Sequence, residues 1–531
     1  MKTIQTLLGT AALGLAIGLT PMATMAETPA NMLVIANRID DITTLDPAQS
    51  FEFAGADVIR NIYGKLVNFD PSDLDAGYQP DLAESWTVSE DGRTITFTMR
   101  EGVTFQSGNP VRAEDAAFSL KRAVLLNKTP SFIITQFGFT PENVDDTIKV
   151  DGNTLSITTD KRYATSFVLN CLTATIGAIV DKELVMANEV DGDMGNKWLT
   201  TNSAGSGPYG LASWKPKESV TLSANPSYYG GEAEMKRVIV RHVQESATQR
   251  LMLERGDIDV ARDLTPSDVD GLAGVDGVEV LREMRGRLMY VSFNQKHPEL
   301  SKPQVRQALK YLIDYDGMEN SFLKNWYVGH QNFLPKTYLG AVDENPFSFD
   351  VEKAKALLAE AGVENLELTV GVREAQERLE IAQSLQNTFA QAGITLNLEV
   401  GTGKQILGKY RARELDIYLG AWGPDYPDPH TNAGTFAYNP DNSDEANATG
   451  LLAWRNGWDT GGLTEKVAAA VVEGDTEKRA EMYHEIQAQF RDTAPFAVMF
   501  QLIEQAGMAD NVEGLSLGGA ITSAAYWDVT K

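Results

Sequence analysis

Residues 366–400 constrain the fold of this chain more than any other stretch. Leu366, Leu368, Val370 and Val372 alternate at the two-residue period of a strand. Ile381, Ala382, Leu385, Phe389 and Ala392 then recur at helical spacing, closed by Gly393. Ile394, Leu396, Leu398 and Val400 alternate again. A strand, a helix and a strand joined by short links return to one sheet as a parallel pair, and such crossovers are right-handed. A further helix is expected next. The apolar run at 415–421 then reads as another buried strand. This part of the chain is α/β.

The helices before that unit agree with it. Val305, Ala308, Leu309, Leu312 and Ile313 form one apolar face, with Pro303 near its start and Gly317 past its end. Asp350 is placed to cap a second helix that carries Val351, Ala354, Leu358 and Ala361 and stops at Gly362.

The first part of the chain is richer in strands. In residues 84–105, Trp86 and Val88 alternate, Asp91-Gly92 turns, and Ile95, Phe97 and Met99 alternate back. Asp-Gly between alternating runs is a hairpin signal. Ile148 and Val150, Asp151-Gly152, then Leu155 and Ile157 repeat the logic. A helix with Ala116, Leu120, Ala123 and Val124 on one face lies between the two hairpins.

Residues 1–26 read as an export signal. Lys2 precedes an apolar run from Leu7 to Leu19, and Thr24 and Ala26 suit a cleavage site. That run is shorter than the roughly 20 residues that span a bilayer. Its removal leaves 505 of 531 residues, and loss of Lys2 takes the formal charge from −27 to −28. Such a chain repels nucleic acid and anionic lipid. Cys171 is the only cysteine, so there is neither an internal disulfide nor a lipid-bearing cysteine at the cleavage site. A freely diffusing periplasmic monomer is expected.

In open parallel sheets, ligands bind beyond the carboxyl ends of the strands. Arg373 follows the strand 366–372, and Asp425 follows the strand 415–421 within the loop 422–429, WGPDYPDP. A cation and an anion on one rim suit a zwitterion. Arg373 is placed to take a carboxylate on its two-pronged guanidinium, and Asp425 an ammonium. Trp422 offers a flat apolar wall. The plainer alternatives are that Asp425 caps a Pro-rich loop and that Glu374 simply neighbours Arg373.

Several chemistries find no support. The glycines at 205, 207 and 210 match a dinucleotide pattern, but Pro208 interrupts it and strand residues follow, so it reads as a turn. Gly401-Thr402-Gly403-Lys404 lacks the remaining residues of a phosphate loop. His242, His297, His330, His430 and His484 show no metal-ligand spacing, and no nucleophile elbow is present. Neither a cofactor, nor a metal, nor catalysis is expected.

These residues together resemble a known family. The stretch 81–105, DLAESWTVSEDGRTITFTMREGVTF, and its continuation AEDAAFSLKR at 113–122 are similar to the signature of the family 5 extracellular solute-binding proteins of bacterial ABC importers. TLDPA at 44–48, GSGPY at 205–209, NPSYYG at 225–230, FN at 293–294, VRQAL at 305–309 and the loop 422–429 also fit. The resemblance covers nearly the whole mature chain and includes dipeptide, oligopeptide and nickel binders. It implies two hinged α/β lobes that close around a solute, with an additional β-rich subdomain. Lobe I is expected at 27–68, 200–294 and 495–531, the subdomain at 69–199, and lobe II at 295–494. Asp425 matches the position that holds a peptide's ammonium, and Trp422 a pocket aromatic. Tyr426 and Asn294, inside matching segments, join Arg373 as candidate ligand-binding residues. The implied function is capture of a peptide-like solute for an inner-membrane ABC permease. An opine, amino sugar, oligosaccharide or nickel complex is the alternative solute, since the loop departs from the peptide pattern after Pro429. A periplasmic hydrolase and a peptide-holding chaperone are the rivals from other classes.

Overall fold

The computed structural model describes residues 28–70, 73–519 and 523–531. The export segment read at 1–26 lies outside the described residues. Eleven strands form one continuous sheet: β1 (Met32–Asn37), β2 (Tyr209–Lys215), β3 (Ser219–Ala224), β4 (Arg237–His242), β5 (Val260–Ala261), β6 (Val278–Phe293), β7 (Tyr327–Gly329), β8 (Glu367–Arg373), β9 (Thr395–Gly401), β10 (Ile417–Trp422) and β11 (Phe496–Ala509). Their order is β9-β8-β10-β6-β11-β5-β1-β4-β3-β2, with β7 also paired to β11. The chain is a two-lobed α/β protein with an additional β-rich subdomain.

The crossover expected at 366–400 is present. β8 pairs in parallel with β9, Glu367 opposite Thr395, and with β10, Val370 opposite Ile417. Burial on both faces explains why β10 reads as an apolar run, whereas the outer strand β9 alternates. On β6, Met289, Val291 and Phe293 enter one core while Leu288 and Tyr290 enter the core on the other face. β1 does the same, with Leu33 and Ile35 on one side and Val34 and Ala36 on the other. Each large apolar side chain buried in this way contributes about 1.5–3 kcal/mol.

In the subdomain the two hairpins merge into one antiparallel four-stranded sheet, because Thr94–Met99 also pairs with Thr154–Thr158. Helix α1 (Phe53–Ile62) precedes the subdomain. Helix α2 (Ala113–Leu126) lays Ala116, Leu120, Ala123 and Val124 on Ile95, Phe97, Leu155 and Ile157. Helix α3 (Thr165–Thr173) adds Phe167 to the same core. The segment 44–48 is tied down here: both oxygens of buried Asp46 accept from the Arg122 guanidinium, at 2.7 and 2.6 Å. The turn at 205–209 opens no helix. A Cβ at Gly205 would lie 2.1 Å from the Ile62 carbonyl oxygen, so glycine is required by close backbone approach.

On the other lobe, α4 (Pro303–Tyr311), α5 (Val351–Glu360) and α6 (Gln376–Ala390) cover one face of the sheet. Asp350 caps α5, accepting from the Lys353 amide at 2.9 Å. Helices α7 (Gly403–Arg411), α8 (Pro429–Phe436) and α9 (Thr476–Thr493) cover the other face. Among the described residues, no helix is long and apolar enough to cross a membrane.

Candidate functional site

Among the described residues, β6 and β11 are the longest strands of the sheet, 16 and 14 residues, and pair with each other along most of their length. Their antiparallel pairing is regular from Val278–Ala509 to Met284–Ile503 and resumes at Leu288–Gln501. Arg285, Gly286 and Arg287 therefore bulge opposite Leu502 alone. Such a bulge bends the strand and re-aims its side chains. Here both arginines line a cavity of about 650 Å³.

Asp40, Asp41, Phe53, Asp57, Arg262 and Asp263 line one part of the wall; Trp326, Glu374 to Glu377, Gly423 and Pro424 line another. Phe53 is 55% exposed, and its ring edge lies 3.6 Å from where a Cβ on Gly423 would be. The segments of Phe53 and Gly423 meet closely at that point.

The charges in the wall are unevenly matched. Arg262 pairs with Asp57 at 2.7 Å and also with Glu504, which in turn takes the Arg285 Nε at 2.9 Å. Burial would raise the Glu504 carboxyl, but Arg262 and Arg285 outweigh it and hold the group below its ordinary range. Arg287 is half-buried and has no hydrogen-bond or ion-pair partner among the described residues. On the opposite wall burial raises the Asp41 carboxyl, with Glu52 and Asp40 adding to it.

None of the five residues singled out from the sequence is itself part of this wall, which passes between Trp422 and Asp425 through Gly423 and Pro424. Asp425 stands at its edge, half-buried. Its backbone amide donates to Thr431 Oγ1 at 3.1 Å, and among the described residues no side chain donates to its carboxylate. Burial alone pushes that carboxyl up to about 7. Trp422 packs edge-on against Phe436, its indole N–H buried without an acceptor. Tyr426 is 4% exposed and packs against Phe167 of the subdomain, ring centroids 5.8 Å apart. Asn294 is buried, its amide donating to the carbonyls of Arg413 at 3.0 Å and Leu415 at 2.9 Å. Arg373 ends β8 beside Gly403, where a Cβ would lie 2.7 Å from its Nη2, at the start of α7.

The parallel strands thus put the chain segments of Arg373 and Asp425 at one end of the sheet, as their order implied. The wall residues that sequence reasoning missed come from distant segments: 38–57, 262–265, 285–287 and 504. One signal was available. Arg285-Gly286-Arg287 interrupts the long alternation of β6, which is out of place in a buried strand.

Among the described residues, no group of three or more histidines, cysteines and acids is placed to hold a metal ion.

Comparison with known proteins is consistent along the chain. The family described as bacterial extracellular solute-binding proteins, family 5 (middle region), matches residues 77–444. A probable D,D-dipeptide-binding periplasmic protein of Escherichia coli is 28% identical over 497 residues, covering 92% of each chain. Among solved structures, HbpA2 of Haemophilus parasuis superposes with a TM-score of 0.78 at 24% identity, over 94% of this chain and 99% of that one. The periplasmic binding protein DppA of Helicobacter pylori, solved with the peptide STSA, gives 0.77 at 23% identity, over 94% and 98%.

Proposed function

Since the chain belongs to the bacterial extracellular solute-binding proteins of family 5, we propose that it captures a peptide-like solute between its lobes and hands it, chemically unchanged, to the permease of an ABC importer. The observation that carries this reading is Asp425. Its carboxyl stands at the cleft edge with no cation beside it and is raised by burial to about 7. A solute's ammonium supplies the missing charge, and the two form a charge-assisted hydrogen bond in a partly desolvated place. Phe53 and Trp326 give side chains an apolar wall without directional demands. The names of the matched relatives, periplasmic and dipeptide-binding, support the compartment and the solute class.

The reading assigns lobe I to 27–68, 200–294 and 495–531, the subdomain to 69–199, and lobe II to 295–494. The hinge is then β6 and β11. A solute favours the closed form by the contacts it makes only there.

The test is calorimetric titration with Ala-Ala and N-acetyl-Ala-Ala. Acetylation of the peptide, or Asp425→Asn in the protein, weakens binding by about 10- to 100-fold, as expected for one hydrogen bond to a charged group. Equal affinity in all pairings rejects the ammonium anchor.

A further inference from the structure

The loop that carries Asp425 is gripped by a helix more than 240 residues earlier in the chain, α3 of the subdomain (Thr165–Thr173). Asn170 Nδ2 donates to Asp428 Oδ2 at 3.1 Å. The Arg479 guanidinium, already paired with Asp428, donates to Ser166 Oγ at 3.3 Å. Between these two polar contacts Phe167 packs against the rings of Tyr426 and His430, centroids 5.8 and 5.0 Å away. Phe167 is 1% exposed and Tyr426 4%, so the seam excludes water. Residues one helical turn apart make all of these contacts, as one face of α3 allows.

The same helix reaches Asp425. Burial pushes the thiol of Cys171 up, and the Asp428 and Asp425 carboxylates are both near enough to add to it. Cys171 thus sets a small apolar group near Asp425. Tyr426 of its own loop and Tyr338 also face Asp425, and burial holds both phenols above their ordinary range. None of these three neighbours is ionised between pH 5.5 and 7.5. The charged groups next along, Asp428 and Arg479, are paired with each other.

The subdomain's two ties differ in kind. To the segment 44–48 it is joined by the buried ion pair of Asp46 and Arg122, and separation there strands two charges. To the Asp425 loop it contributes neutral donors and a ring, beside an ion pair that is complete without them. That second contact can be released without leaving a charge bare.

We propose that α3 sets the strength of the Asp425 anchor: Asn170 is a positioning residue that fastens the loop, and Phe167 and Cys171 keep water from the carboxylate. This rests on the receptor reading above and gives the subdomain a part in it. Asn170, Phe167 and Cys171 lie outside the cavity wall and act through the loop alone.

The test is calorimetric titration of Ala-Ala from pH 5.5 to 7.5 on wild type, N170A, N170Q, D425N and N170A/D425N. Asp428 keeps Arg479 and the His430 amide in N170A, and matched melting curves establish that the variants fold. At pH 7.5, N170A weakens binding by about 3- to 10-fold, as for one lost hydrogen bond. The loss is smaller at pH 5.5, because a better solvated Asp425 stays ionised to lower pH. N170Q, which keeps the amide, recovers part of the affinity. In the D425N background N170A has no further effect. The proposal is overturned if N170A binds as wild type does, or if it weakens D425N as much as wild type. The empty protein separates this inference from the anchor. There, the pH dependence of the melting-temperature difference between N170A and N170A/D425N gives the Asp425 midpoint without solute. A midpoint still at the wild-type value of about 7 sinks the role of α3 alone. A midpoint that moves down by a unit or more, while D425N binds Ala-Ala as tightly as wild type, sinks the anchor alone.

Discussion

Asp428 and Arg479 form a two-pronged ion pair, 2.7 and 2.8 Å long, with both residues almost wholly buried, three residues beyond Asp425. Asp428 also caps α8 through the His430 amide at 2.8 Å, and Asn170 of the subdomain donates to it at 3.1 Å. Neighbouring acids of one loop thus stand in opposite states. Burial works against the charge of Asp428, but Arg479 outweighs it and keeps the carboxyl below its ordinary range. Asp425 has no such cation. Asp428→Asn leaves Arg479 buried and unpaired, and such a break costs about 3–5 kcal/mol. Urea unfolding at neutral pH measures it; a loss below about 1 kcal/mol contradicts the pair's structural role.

Asp425 makes the empty protein sensitive to pH. Its folded value, about 7, is above its unfolded one, so the folded state binds the proton more tightly. Between the unfolded value and about 7, this carboxyl lowers stability as pH rises, by up to about 1.4 kcal/mol per pH unit. Asp425→Asn removes that slope, and melting curves from pH 5 to 8 reveal it as the difference between the two proteins.

Binding has the opposite pH sense. An ammonium needs the ionised carboxylate, so affinity for Ala-Ala falls by up to about tenfold per unit as pH drops below 7. Titration at pH 5.5, 6.5 and 7.5 checks this. Asp425→Asn binds more weakly and loses that dependence. A wild-type affinity flat across this range argues against the carboxylate as the anchor.

Gly205→Ala drives a methyl group into the Ile62 carbonyl oxygen, 2.1 Å away. The backbone has to shift, at a cost of about 1–3 kcal/mol typical of overpacking. Thermal unfolding measures it, and a change within experimental error contradicts the close packing.

How far the sequence reveals all this depends on the range of each contact. The 366–400 crossover was legible because its periods switch from 2 to 3.6 and back within one short segment. The hairpins were legible from Asp-Gly turns; Gly92 and Gly152 both have positive φ, 69° and 56°. The merged sheet was not, because Thr94 pairs with Thr158 across an intervening helix. The same holds for the central ribbon, where Val278 pairs with Ala509. The site divides likewise. Asp425 and Arg373 were singled out because strand ends carry ligands as a rule of topology, and the cavity wall includes neither. Arg287 escaped because the bulge that turns it to the cavity depends on a partner strand far along the chain. Asn294 was noticed as part of a matching segment, and its contacts place it in the scaffold that holds β10 to β6.

Phe53 and Gly423 meet across the cleft with room for a methyl group and little more. Position 423 therefore acts as a stop on a door. With glycine there, the two walls approach until the aromatic edge rests on the opposite backbone. A bulky residue would halt them earlier and leave a wider chamber. The size of solute that this protein can enclose is set in part by a residue with no side chain.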